Sequence, residues 1–176
     1  MSNFIQNIVS VSMAHVNQQE TKNNSGFKDP NFEKKMKWVG WLKGHPWCSY
    51  FVELVYKEAN IKTSNSKEIE ALLDSLFSGS VAKTFNNFKT FIAKNNKFFK
   101  ISNTPKKGSI VIWRSKTNPL FGHTAVIVDV KSNNEFVTVE GNTNDEGGRE
   151  GYEVAVRKRN MSGNGYKLVG FIEPIF

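Results

Sequence analysis

The hydrophobic pattern of this chain changes period near Pro105, and that change limits the folds open to it. Before Pro105, apolar residues recur three and four apart, the spacing of one helix face. Phe4, Ile5, Ile8, Val9, Ser12, Met13 and Val16 form one such stripe, so residues 3–18 read as an amphipathic helix. Phe32–Trp41, Trp47–Ala59, Ser66–Leu76 and Val81–Lys94 read as helices too, with Asn60 suited to stop the third. After Pro105 the apolar segments are short, β-branched and separated by Gly, Asn and Ser. Ser109–Trp113, His123–Val130, Glu135–Glu140, Glu153–Arg159 and Lys167–Ile172 read as strands, and Lys131–Asn134 as a hairpin turn. Helices first and strands second predict an α+β domain, N-terminal helices packed on a C-terminal antiparallel sheet. For 176 residues the expectation is one domain, with a helical extension over 1–19 and a core over 20–176.

Lys and Arg number 24 against 16 Asp and Glu, a formal net charge of +8. A basic surface attracts polyanions: nucleic acid, anionic lipid, or the teichoic and uronic acids of cell walls. The basic residues are scattered and no aromatic–basic stripe appears, so no specific nucleic-acid partner is expected. No run reaches transmembrane length, which predicts no membrane insertion. Met1–Glu20 lacks the basic start and continuous apolar core of a signal peptide. The expectation is a monomer made in the cytoplasm that reaches any outside target by release or delivery. One cysteine rules out an internal disulfide and a Cys-only zinc site.

That cysteine lies in Gly44-His45-Pro46-Trp47-Cys48-Ser49, in the first turn of a predicted helix. Unpaired N–H groups at such a terminus favour a thiolate and offer donors to an oxyanion. A structural cysteine would more naturally fall mid-helix on the buried face, at position 52 or 55. A thiolate nucleophile needs a base, and the base needs orienting. His15 sits on the first helix with no polar company expected. His45 precedes a proline at the helix start, so its ring is expected to point elsewhere. His123 opens an apolar strand beside Gly122, a poor place for packing and a reasonable one for a base. The next strand ends Val139-Glu140-Gly141-Asn142, and period-2 alternation puts Glu140 and Asn142 on one face if the strand continues. Either could accept the His123 N–H and set its tautomer.

Four segments occur in order: Pro46-Trp47-Cys48-Ser49-x-Phe51-Val52; Pro105-x-x-Gly108-x-Ile110-Val111-x-Trp113; Gly122-His123-x-Ala125-Val126-Ile127-Val128; and Val139-Glu140-Gly141-Asn142-Thr143. With Glu20-x-x-x-Asn24-Ser25-Gly26 upstream, this order resembles the CHAP family of cysteine, histidine-dependent amidohydrolases and peptidases, in the wider NlpC/P60 group. The resemblance, from about Glu20 to Arg159, implies a papain-like fold and hydrolysis of amide or peptide bonds in bacterial peptidoglycan, as an amidase or an endopeptidase. It implies Cys48 as nucleophile, His123 as base, Glu140 as the group orienting it and Asn142 as a further polar member. It implies no cofactor. Some phage members carry acidic calcium loops before the cysteine, but Trp41–His45 holds no carboxylate, so no metal is expected there. Trp47 and Trp113 are read as cleft walls or as core. Gly147–Gly151 is read as a loop at the mouth, with Arg149 facing a muropeptide carboxylate. A phage lysin and a toxin delivered between bacteria both fit, and would bring a phage structural protein or an immunity protein as partner. The rival readings are a cysteine amidase acting on a non-wall amide and an inactive basic binding module.

Overall fold

The computed structural model describes residues 3–95, 97–118, 121–144, 151–162 and 166–176. Five α-helices precede six strands: α1 (Asn3–Ala14), α2 (Pro30–Trp38), α3 (Cys48–Thr63), α4 (Lys67–Leu76), α5 (Val81–Lys94), β1 (Phe99–Ser102), β2 (Ile110–Ser115), β3 (Gly122–Val130), β4 (Glu135–Thr143), β5 (Glu153–Asn160) and β6 (Tyr166–Pro174). The strands form one antiparallel sheet in the order β1-β6-β2-β3-β4-β5. The α+β class follows as the change of period predicts.

α3 is the central helix. Phe51, Val52, Leu54, Val55, Tyr56 and Ala59 are fully buried on it, against α1 and the middle of the sheet. Phe51, Val52, Leu54 and Val55 each contribute about 1.5–3 kcal/mol on leaving water. One buried apolar cluster draws on every helix and every strand. A second, on the other face of the sheet, joins Val111, Trp113, Ala125, Ile127, Phe136 and Phe171. Phe136 on β4 and Phe171 on β6 have ring centroids 5.6 Å apart. Those strands are three places apart in the sheet, about 14 Å if it were flat. The sheet is therefore strongly curled, and its concave face closes over its own side chains.

Several boundaries differ from expectation for local reasons. α1 ends at Ala14 rather than 18, because Asn17 is left-handed (φ 75°) and the chain turns to run along β5. Asn17, Gln18 and Glu20 then exchange backbone hydrogen bonds with Tyr152 and Val154. α2 begins at Pro30, two residues early. Asp29 caps it by accepting from the Asn31 N–H at 2.8 Å, and proline suits the first helical position. α3 does not stop at Asn60. That side chain instead ties down the connection to α4 through the backbone of Ser66, and left-handed Asn65 follows the helix end. β1 has no counterpart among the expected strands: Phe-Lys-Ile-Ser alternates but is only four residues long, and as the edge strand it gains its ladder from β6 alone. Among the described residues no helix is long and apolar enough to cross a membrane.

Candidate functional site

Cys48 is the first helical residue of α3 and is 4% exposed. The residue before it is held from three sides. Its indole Nε1 donates to Glu20 Oε2 at 2.6 Å, its backbone N–H donates to Asn142 Oδ1 at 3.3 Å, and its ring lies edge-on to Phe27, Phe32 and Phe51. Trp47 is thus fully buried core, not a cleft wall, and its packing sets the position of the thiol. Gly141 lets β4 pass this point. A Cβ there would lie 2.6 Å from Phe51 Cβ and 2.7 Å from Trp47 Cζ3.

His123 stands at the start of β3, directly opposite Trp113 on β2. The two rings are stacked, with centroids 5.9 Å apart and planes at 16°. Tyr166 tilts over His123 at 6.3 Å. Trp113, also read as a possible wall, is buried and braces the imidazole. His123 is 1% exposed, and its Nε2 meets Glu140 Oε2 at 2.9 Å. With Nε2–H given to the carboxylate, Nδ1 is left without a hydrogen-bond partner and is available to the Cys48 thiol. Burial works against the imidazolium. The Cys48 thiol and the Glu140 carboxylate outweigh it and raise the His123 pKa to about 9.

Glu140 is fully buried and accepts from four donors. They are His123 Nε2, Thr138 Oγ1 at 2.6 Å, and the Arg159 fork, Nε at 2.7 Å and Nη2 at 2.6 Å. Burial pushes its pKa up, but the Arg159 and His123 interactions prevail and hold it well below the ordinary carboxylate range. The Arg159 guanidinium also lies over the Trp113 ring, 5.4 Å from its centroid. A row of groups therefore runs from the helix terminus across the sheet to β5: thiol, imidazole, carboxylate, guanidinium.

Above Cys48 lies a cleft of about 220 Å³, walled by Pro46, by Gly79–Val81 at the start of α5, and by Phe121 and Gly122 at the start of β3. None of these lining residues is charged. Gly122 lies where a Cβ would meet the Trp113 carbonyl at 2.5 Å, so a larger residue beside His123 would disturb the β2–β3 pairing. A larger depression, about 510 Å³, between residues 20–24 and Tyr152 is lined by neither Cys48 nor His123. Among the described residues no group of three or more His, Cys, Asp or Glu could hold a metal ion.

The structure brings Cys48, His123 and Glu140 together. Asn142 accepts from the Trp47 N–H, whereas the His123 Nε2 is taken by Glu140. The alternation argument fails at Asn142 because the β4–β5 register shifts between Glu140 and Thr143 and Asn142 turns left-handed (φ 55°). His15 does have polar company: Nε2 is 2.5 Å from Glu58 Oε2, itself paired with Lys35. His45 is exposed, with Nδ1 3.3 Å from the Tyr50 hydroxyl. Arg149 lies outside the described residues, as do Gly147 and Gly148 of the expected loop. Arg159 and Thr138 were missed in the sequence. The available signal was Arg157 and Arg159 alternating on one face of β5.

A sequence model of the CHAP domain matches residues 40–142, an interval holding Cys48, His123, Glu140 and Asn142. No curated protein sequence matches the chain. Among solved structures, the crystal structure of an N-acetylmuramoyl-L-alanine amidase from Bacteroides uniformis ATCC 8492 is similar, with a TM-score of 0.59. The similarity covers 99% of this chain and 100% of that one at 10% sequence identity, so it speaks for the fold alone.

Proposed function

The chain belongs to the CHAP domain family, and from that membership we propose that it is a peptidoglycan hydrolase cutting an amide or peptide bond through Cys48 and His123. One observation carries the assignment of roles. Glu140 occupies Nε2 of His123, which turns the unpaired Nδ1 over to a thiol at a helix N-terminus. In the proposed reaction the Cys48 thiolate adds to the scissile carbonyl. The Cys48 backbone N–H, at the positive end of α3, stabilises the oxyanion. The His123 imidazolium gives its proton to the leaving amine, and a thioester to Cys48 remains. Neutral His123 then takes a proton from water, the hydroxide equivalent attacks the thioester, and a carboxylic acid leaves as the thiolate and imidazolium return. Glu140 keeps the ring in one tautomer throughout, and Asn142 holds the segment that carries the thiol.

Digestion of purified walls followed by mass spectrometry tests this reading and identifies the bond. An amidase frees whole stem peptides from the glycan, whereas an endopeptidase leaves shortened stems attached. Unchanged walls together with turnover of soluble non-wall amides would favour the rival amidase instead.

The pH profile tests the roles separately. His123 keeps its proton until about pH 9, so hydrolysis should fall as pH rises through that value, when the leaving amine loses its proton source. Glu140→Gln should retain part of the activity, because an amide oxygen can still orient the ring. Its alkaline limb should move to lower pH, because the negative charge favouring the imidazolium is gone. An alkaline limb unmoved by Glu140→Gln would count against His123 as the group being titrated.

A further inference from the structure

From Ser75 to Val128 the chain holds nine Lys and Arg and no Asp or Glu. The rest of the chain, with 15 of the 24 basic residues and all 16 acidic ones, is close to neutral. The whole net charge is therefore carried by α5, β1, β2 and the start of β3. Of the nine, Lys100 and Lys106 pair with Glu173, at 3.4 and 2.8 Å, and Lys107 pairs with Asp129 at 2.9 Å. Among the described residues no carboxylate pairs with Lys83, Lys89, Lys94 or Lys97, all of which are exposed. The first three lie on the outer side of α5, which buries Val81, Thr84, Phe85 and Phe88, and Lys97 follows its C-terminus. At 1.5 Å per residue, α5 makes a strip about 20 Å long.

The strip has a direction. Its first residue, Val81, is part of the cleft above Cys48, and Val81 Cγ1 comes within 3.3 Å of where a Gly122 Cβ would be. Exposed Lys116 lies on the β2–β3 hairpin that leads to Phe121 on the cleft's opposite wall. A polymer lying along α5 would thus be delivered to the thiol. The chemistry of the strip is that of lysine, a flexible point charge, rather than arginine, whose fork selects planar carboxylates. Four lysines along one helix and its end, Lys89 and Lys97 resting over the Phe85 and Phe98 rings and none of the four with a carboxylate partner among the described residues, suit a repetitive polyanion read by charge and not by shape.

We propose that the outer face of α5, through Lys83, Lys89, Lys94 and Lys97, is a docking strip for a phosphodiester-bearing cell-wall polymer that guides the attached peptidoglycan into the Cys48 cleft. The choice of a wall polymer over nucleic acid rests on the function proposed above, since the strip ends at a site assigned to wall peptides.

The test uses the full chain with Cys48→Ala, so that binding is read without hydrolysis. In this background the four lysines are changed to glutamine, which has nearly the same helix propensity as lysine. A control carries the same charge change away from α5: Lys22→Gln, Lys28→Gln, Lys34→Gln and Lys62→Gln. Cosedimentation is measured with purified walls, with the same walls stripped of phosphodiester polymer, and with duplex DNA at equal phosphate. On intact walls at low salt the α5 variant should bind at least about tenfold more weakly. Its slope of log affinity against log salt should be shallower by about 0.7 for each phosphate that the protein no longer neutralises. The control should stay within about twofold of the parent, and on stripped walls the α5 variant and parent should be alike. Equal weakening in the α5 variant and the control would show that only net charge matters and would overturn the strip. Undiminished binding by the α5 variant, or a preference of the parent for DNA over intact walls, would overturn it as well. Hydrolysis of a soluble muropeptide, with Cys48 restored, is the separate check on the underlying function. It should not respond to the four lysines, and its absence in the unaltered protein would count against the hydrolase reading and not against the measured binding.

Discussion

Cys48→Ala should reduce wall hydrolysis to background, a loss on the order of 10⁴-fold or more, while the protein remains folded. Among the described residues that line the cleft, the thiol is the only group able to form the thioester, since Pro46, Gly79, Val81, Phe121 and Gly122 offer no nucleophile and the Ser80 side chain caps α5 by accepting from the Lys83 N–H. Removing one sulfur from an almost buried first-turn position disturbs little else, because Trp47 and Asn142 hold the segment without it. His123→Ala should be as inactive, and the double variant no worse than either single one, because members of a catalytic unit fail together. The two single variants should differ in stability. Loss of His123 leaves a gap between Trp113 and Tyr166 and takes a donor from buried Glu140, whereas loss of the thiol does neither. His45→Ala should keep near wild-type rates, because that ring is exposed beside Tyr50. The comparison is made with initial rates on walls and with thermal unfolding of each variant. A Cys48→Ala protein that is folded and still lytic would end the cysteine mechanism.

Arg159→Met should cost about 3–5 kcal/mol of stability, the range for breaking a buried ion pair by removing one partner. Two of the four donors to Glu140 disappear, and the carboxylate has no route to water because it is fully buried. For a chain of this size that loss corresponds to a fall in Tm of roughly 6–20 °C. Arg159→Lys should recover only part of it, since an ammonium cannot supply the two-pronged interaction. Glu140→Gln combined with Arg159→Met should be less unstable than Arg159→Met alone, because no unpaired buried charge remains. The cost should also depend on pH. The depressed pKa of Glu140 contributes stability above its unfolded value of about 4.5, lost as pH falls through the lower folded value. The raised pKa of His123 contributes stability below about 6.5, lost as pH rises through about 9. Arg159 acts on the Glu140 carboxylate and is not among the groups that raise the His123 pKa, so the deficit of Arg159→Met should be full above about pH 4.5 and shrink as pH falls over the range below it. Urea unfolding across that range measures it. A variant whose midpoint matches the wild type at every pH would show that Arg159 is not what keeps Glu140 ionised.

How much of the fold and site is legible in the residues alone depends on whether the information is local. α5 and β3 read nearly to the residue. Ser80 caps α5, Phe85 and Phe88 mark its buried face, and the β-branched run after Gly122 has no helical alternative. Cys48 at a helix start, His123 at a strand start and Glu140 at a strand end are likewise local facts, each visible in its neighbours. Three features are not local. Arg159 is 19 residues from Glu140, and the antiparallel pairing of β4 with β5, which sets Arg159 diagonally across from it, makes a basic residue on β5 the partner of a buried carboxylate. Asn142 leaves the strand alternation because a bulge rotates it towards Trp47, and a bulge belongs to a pair of strands, not to one. Trp47 could have lined the cleft or filled the core, and the answer came from Glu20, which accepts its indole N–H across 27 residues. Residue type and short-range periodicity were enough to set the order of elements, the chemistry of the reacting groups and the sign of the charge. Which groups pair was decided in three dimensions, because pairing depends on the register between strands and on how the curled sheet and α3 come together, a geometry that no single segment encodes.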